Sequence, residues 1–273
     1  FAIGAASHGS QRWISIGPFS LQPSELAKIG IILFLAAYIS SKSREMRQWK
    51  KMVIPFLFAI PIIVIVGIEN LSTCIILLAI SFIMIFVATP LLVPFVVIGL
   101  IGVAGAGGLL LTQGYRMERI TVWLDPAASE KGHQTIQGLY AIGSGGLFGK
   151  GLGQSMQKLG FLPEANNDMI FSVICEELGL FGALCVLALF FALIWRFMVI
   201  AVNAPDLYGS MIVVGVIAHI GIQVFINIAV ATNTIPNTGI PLPFISYGGS
   251  SLVFMLLEMG LVLSVSRYIN VKK

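Results

Sequence analysis

The stretch IFSVICEELGLFGALCVLALFFALIWR, residues 170–196, decides the fold class. Past Glu177 it carries no charge until Arg196. That is enough chain to cross the hydrocarbon core of a bilayer, which takes about 20 apolar residues as a helix. It is apolar all round, so it reads neither as the one-sided helix of a soluble domain nor as the alternating strand of a membrane barrel. Six more segments of the same kind lie at about 23–40, 52–69, 71–89, 91–111, 209–232 and 250–268. Composition agrees: of 273 residues, 57% are hydrophobic and 10% charged, against roughly 25% charged in a soluble domain. Too few polar residues remain to coat a soluble globule, and too much apolar surface to leave a chain disordered. The expectation is an all-α polytopic membrane protein with seven transmembrane helices. Residues 1–273 would form a single integral membrane domain, with one large extracytoplasmic loop at 112–169.

Charge placement orients the chain. Residues 41–51 hold Lys42, Arg44, Arg47, Lys50 and Lys51 against Glu45 alone, which places this short loop in the cytoplasm. Alternation then puts residues 1–22, 112–169 and 233–249 outside, and 197–208 and the C-terminus inside. The tail, with Arg267, Lys272 and Lys273, agrees. Cys74, Cys175 and Cys185 all fall within apolar runs and suggest neither a disulfide framework nor a metal motif. The chain starts at Phe1 without an initiator Met or a signal peptide, which reads as an N-terminally truncated fragment.

The outer segments carry the chemistry. Residues 112–169 hold ten of the 28 charged residues and are longer than a connector needs. Ile136, Leu139 and Tyr140, at helical spacing, suit a helix lying along the membrane surface. The run Gly143-Ser-Gly-Gly-Leu-Phe-Gly-Lys-Gly-Leu-Gly153 departs from a Walker motif at Ser144 and Gly151. It reads either as a tightly turned loop or as a cradle near a pyrophosphate, helped by Lys150 or Lys158. Glu164 and Asp168 stand just ahead of the 170–196 span. Asp168 suits either an N-cap or, as an ionised carboxylate, a general base. Glu176 and Glu177 lie two turns further in, where acids must face protein or a wet cavity. Glu25 and Lys28 share a helix face and can pair. His219 reads as a packing residue, while Glu258 is harder to dismiss. Residues 233–249, with three Pro and three Gly, break the helical pattern at membrane depth and so must pack on protein or line a cavity. Together these describe a site for a molecule with an apolar tail in the bilayer and a polar head outside.

At these residues the sequence resembles the SEDS family (shape, elongation, division and sporulation), the FtsW/RodA/SpoVE-type proteins. The resemblance runs through Gly9-Ser-Gln-Arg-Trp-Ile14, Gln22-Pro-Ser-Glu-Leu-Ala-Lys28 and Gly143–Gly153. It continues through Leu162-Pro-Glu-Ala-Asn-Asn-Asp-Met-Ile-Phe171, Glu176-Glu-Leu-Gly179 and Pro236-Asn-Thr-Gly-Ile-Pro-Leu-Pro-Phe-Ile-Ser-Tyr-Gly-Gly-Ser-Ser251. Ala204-Pro-Asp-Leu-Tyr-Gly209 leans toward the FtsW/SpoVE branch.

The resemblance implies ten spanning helices, of which this chain would hold the fourth to the tenth. It implies a peptidoglycan glycosyltransferase that polymerises lipid II, serving division, shape or sporulation beside a class B penicillin-binding protein. It carries the family's catalytic acid onto Asp168, although Asn166-Asn167 replace the usual His-Thr and Met169 the usual Phe. Asn70 stands where the family often has Asp, so no role passes to it. Arg12, Trp13, Gln22, Glu25, Lys28, Lys150, Lys158, Glu164, Ser246 and Tyr247 are the expected substrate-binding residues. No metal ligands are assigned, although the resemblance allows a divalent cation, Mg or Mn. Alternative readings are a lipid II flippase and a non-catalytic divisome scaffold.

Overall fold

The computed structural model describes residues 5–7, 10–16, 19–89, 99, 114–129 and 132–269; over residues 5–20 it describes the backbone alone. Eight α-helices and a small sheet make up the described residues: α1 Pro23–Ser41, α2 Trp49–Glu69, α3 Leu71–Ala88, α4 Gly114–Leu124, α5 His133–Ser144, α6 Ile170–Val202, α7 Leu207–Ala231 and α8 Gly249–Arg267. Six of them (α1, α2, α3, α6, α7 and α8) are long and apolar enough to cross a membrane. They match six of the seven expected spans within a few residues. The seventh, 91–111, lies outside the described residues apart from Gly99.

One feature departs from the all-helical expectation. Strands β1 Ala5–Ser7, β2 Ser10–Ile16 and β3 Phe19–Leu21 form an antiparallel sheet in the order β1-β2-β3. The strands are too short, and their pairing too local, to leave an alternating pattern long enough to read.

The chain divides into two compact units. The first comprises Phe1–Val96, Leu193–Ile222 and Gly248–Lys273. Here α1 begins at Pro23, whose missing N–H costs nothing in a first turn. The break between α2 and α3 falls at Asn70, whose side-chain oxygen accepts the Thr73 N–H at 3.2 Å and caps α3. Leu35 and Ala36 of α1, and Ile76, Leu77, Ile80 and Met84 of α3, are buried. In the turn between α1 and α2, Glu45 bridges Lys42 and Lys51 at 3.2 and 3.3 Å, and these ammonium groups lower its carboxyl pKa. Two polar side-chain pairs lie buried in this unit. Lys28 Nζ reaches Glu25 at 2.8 Å, and His219 Nδ1 meets both oxygens of Glu258 at 2.9 Å, tying α7 to α8. His219 is thus buried as a packing residue and partnered as well.

The second unit comprises Val97–Ala192 and Gln223–Tyr247. It contains α4, α5, the first part of α6, the last turns of α7 and the Pro-rich segment after them. Helix α6 is broken inside: Gly179 has φ 68° and ψ −167°. At 1.5 Å per residue, the part from Gly179 to Val202 is about 36 Å long and can span a bilayer core alone. The part from Ile170 to Leu178 then rises about 13 Å beyond it.

Candidate functional site

The site is built where the second unit closes on the start of α6. Asp168 sits two residues ahead of that helix and is 7% exposed. Its carboxylate takes its own backbone N–H and, at 3.5 Å, the amide of Gln134 on α5. Its backbone carbonyl accepts from Asn227 of α7 at 2.7 Å. With α6 starting at Ile170, the acid is held by α5 and α7 rather than by the amides of its own helix, so capping does not explain its position.

Around it runs a chain of amides. The Asn237 side chain donates to Gln134 Oε1 at 3.1 Å. That bond turns the NH2 of Gln134 toward Asp168, the polarity a carboxylate requires. Asn237 also accepts Gly239 N–H on its side-chain oxygen and Arg119 Nη1 on its backbone carbonyl, at 2.9 and 3.1 Å. Asn227 donates to Ile240 O at 2.8 Å as well. One buried amide therefore ties the Pro-rich segment to the acid.

Burial pushes the Asp168 carboxyl up to about 6, helped by the negative charge of Glu164 and opposed by its own N–H, Gln134 and Arg119. The loss of water around a charged carboxylate is the leading cause. A carboxyl with that pKa is mostly ionised at neutral pH yet basic enough to accept a proton, the balance a general base needs.

The other expected site residues fall in three places. Glu164, exposed and with φ 53°, accepts from the Asn167 amide beside Asp168. Ser246 donates to Asn167 O at 2.6 Å and accepts from Leu242 N at 2.7 Å, and Tyr247 N donates to Asn166 O at 2.8 Å. This segment clamps the turn before Asp168 through Ser246 Oγ and the Tyr247 backbone, while the Tyr247 ring is 82% exposed. Gln22, Glu25 and Lys28 belong to the first unit, with Gln22 O accepting the Glu25 N–H at the start of α1. Arg12 and Trp13 lie on β2, their side chains outside the described residues.

Lys150 and Lys158 are engaged elsewhere. Lys150 Nζ lies 2.6 Å from Glu176, which is fully buried and also takes Ser155 Oγ at 2.5 Å. Lys158 Nζ lies 2.5 Å from Glu177. The Gly-rich run is spliced into α6 at its break. Lys150 N and Gly151 N donate to Glu176 O and Glu177 O, while Leu180 N and Phe181 N turn to Gly146 O and Leu147 O. Four bonds of 2.9–3.0 Å replace two helical ones. A Cβ on Gly149 would land on the Glu177 carbonyl, and one on Gly145 on the Cys175 carbonyl. Close backbone approach therefore accounts for these glycines.

Sequence reasoning missed Gln134, Asn227, Asn237 and Arg119. One signal was available: His219, Gln223 and Asn227 recur every fourth residue of α7, which puts three polar groups on one stripe of a spanning helix.

The family model described as cell cycle protein, of the FtsW/RodA/SpoVE type, matches residues 1–271. The chain belongs to this family. Stage V sporulation protein E of Bacillus subtilis is 47% identical over 272 residues, covering 97% of this chain and 74% of that protein. The probable peptidoglycan glycosyltransferase FtsW of Saccharophagus degradans is 38% identical over 275 residues, covering 98% of this chain and 71% of that protein. Among solved structures, a chain of a peptidoglycan synthase complex that coordinates polymerization and crosslinking superposes with a TM-score of 0.80 at 28% identity, covering 99% of this chain and 77% of that one. Thermus thermophilus rod shape determining protein RodA gives 0.68 at 29%, covering 98% and 73%. This SEDS-type chain is thus a multi-pass helical membrane protein.

Among the described residues no three His, Cys, Asp or Glu side chains group as metal ligands.

Proposed function

We propose that this chain is a peptidoglycan glycosyltransferase that polymerises lipid II at the outer face of the cytoplasmic membrane, with Asp168 as its general base. The observation that carries this is the placement of Asp168: buried, its carboxyl pushed up to about 6, and set just ahead of the part of α6 that precedes the Gly179 break. The acid stands about 15 Å beyond the Gly179 break at 1.5 Å per residue. A sugar linked through pyrophosphate to a membrane-held polyprenyl chain sits beyond the headgroups, at that height.

In this reading Asp168 accepts the proton of a sugar hydroxyl on one lipid II. The oxygen attacks the anomeric carbon of the growing strand, and the bond to undecaprenyl pyrophosphate breaks. A single displacement inverts the anomeric centre. Gln134 and Asn237 aim the carboxylate. The leaving group needs positive charge. Lys150 and Lys158 are matched by Glu176 and Glu177, which turns attention to Arg119, whose charge already acts on Asp168. Arg12 and Lys28, the other cations expected for this role, lie in the first unit, and Lys28 is matched by Glu25. The positive-inside pattern supports a cytoplasmic C-terminus, and the likeness to a peptidoglycan synthase complex supports a class B penicillin-binding protein as partner.

The test is gel analysis of lipid II polymerisation by the full-length protein with its partner, wild type against Asp168→Asn. Loss of polymer with the protein folded is expected. Polymer from the variant overturns the role of Asp168, and flipping of lipid II in vesicles without polymer overturns the reaction.

A further inference from the structure

The Gly-rich run carries a second feature, separate from the chemistry at Asp168. Its large apolar side chains are its most exposed: Leu147 is 65% exposed, Phe148 81% and Leu152 78%. Their depth is fixed by hydrogen bonds. Gly146 O and Leu147 O accept from Leu180 N and Phe181 N, so the tip of the run lies level with the first residues beyond the α6 break. From there α6 turns an apolar face outward through Phe181, Leu184 and Leu189. A helix face of that kind in a spanning segment faces lipid. Leu147 and Phe148 continue it sideways. Lys150 and Lys158 pair with Glu176 and Glu177, just over a turn nearer the start of α6 than Phe181, which is headgroup height on the length arithmetic for this helix.

Irregular backbone enters hydrocarbon only where its polar groups are paired. The splice pairs the base of the run, with Gly149 N donating to Gly145 O at 2.8 Å, Lys150 N and Gly151 N to the carbonyls of Glu176 and Glu177, and Gly146 O and Leu147 O taken by α6, so the backbone of the tip stays at the wet interface and only its side chains reach lower. Helix α5 descends beside the outer part of α6, with Gly138 against Met169 and Ser172, and delivers the run to this depth. We propose that residues 145–152 form an interfacial tip whose Leu147, Phe148 and Leu152 side chains reach among the acyl chains of the leaflet on the Asp168 side, anchoring the height of the site above the bilayer.

The test is photolabelling of the full-length chain in phospholipid nanodiscs. A diazirinyl-phenylalanine replaces Phe148 or, as a second probe, Leu152. Leu184 serves as a lipid-facing reference and Asn203, in the α6–α7 turn, as an aqueous one. Mass spectrometry then counts adducts. The proposal expects phospholipid adducts at 148 and 152 within about threefold of those at 184 and about tenfold above those at 203. Predominant water adducts overturn it, as do predominant crosslinks to protein, whether within the chain or to a second copy.

Discussion

The side-chain amide of Asn227 donates to the backbone carbonyl of Asp168 at 2.7 Å, and the same nitrogen donates to Ile240 O at 2.8 Å. Asn227 is fully buried on α7, so its two hydrogens are spent on holding the residue that carries the acid and the Pro-rich segment that packs beside it. Replacing Asn227 by Leu keeps the approximate volume and strips both donors. Two carbonyls then lose a partner, at about 1–3 kcal/mol for each buried unsatisfied group. Asn227→Leu is expected to lower the melting temperature in detergent and to cut polymerisation strongly. Asn227→Asp loses the same donors and adds a buried charge, so it is expected to be worse. A variant with wild-type melting and activity would show that the clamp is dispensable.

Asp168 gives a pH prediction with a definite sign. Its carboxyl sits at about 6 in the fold against 3.8 outside it. Between those values the folded protein binds more protons than the unfolded one, so stability falls as pH rises, and above about 6 the full penalty applies. Activity under the proposed role of Asp168 moves the opposite way, because a general base must be ionised: polymerisation should rise through an apparent pKa near 6. Asp168→Asn removes the buried charge. At pH 7.5 it is expected to be inactive yet more stable than wild type, by on the order of 3 kcal/mol, since each tenfold change in proton affinity is worth about 1.4 kcal/mol. That advantage should vanish near pH 4. A thermal melt of both proteins at the two pH values decides it.

The spans were legible because a membrane helix announces itself in a single run of apolar residues, and the α2–α3 break because Asn70 interrupts two such runs. The head of α6 was legible for the same reason, which is how Asp168 came to be placed at a membrane face. The amides around it were not. Gln134 and Asn237 are separated by 103 residues and Asn227 and Asp168 by 59; no local period encodes such pairings. The Gly-rich run was ambiguous on its own because a phosphate cradle and a close backbone approach both call for glycine. Only the α6 carbonyls lying against Gly145 and Gly149 separate the two. Glu176 and Glu177 looked costly as acids inside a span, but the Gly179 break sets them on the part of α6 that a bilayer core does not need.

That break makes two glycines unequal in a testable way. Gly179 has φ 68° and ψ −167°, a region open essentially to glycine alone, and a Cβ there would strike the backbone of Gly149 and Leu147. Gly160 has φ 111° but open space around it. Gly160→Ala should bear only backbone strain, about 1–3 kcal/mol. Gly179→Ala adds the collision and the loss of the four-bond splice, and should leave the 143–161 region open to limited proteolysis. Equal protease resistance in the two variants would mean that the splice is not what holds the run.

Glu176 is the polar centre of that splice. Fully buried, it accepts from Lys150 Nζ at 2.6 Å, Ser155 Oγ at 2.5 Å, and the backbone N–H groups of Met156 and Gln157 at 3.3 Å each. With Ser144 Oγ at 3.5 Å, five donors converge on one carboxylate, so Glu176→Ala leaves several of them unpaired and should cost more than Lys150→Ala. The lysine side chain is 36% exposed, and water can take over part of its role. Screening brings its loss to about 1–2 kcal/mol, below the 3–5 expected when a fully buried pair is broken. Glu176→Gln keeps the shape and one acceptor, and in a Lys150→Met background it removes both charges together. The double variant is expected to recover stability relative to the sum of the single changes, with a coupling of about 1 kcal/mol or more in a double-mutant cycle. Additive losses would mean that Ser155 and the backbone amides, rather than the lysine, neutralise Glu176.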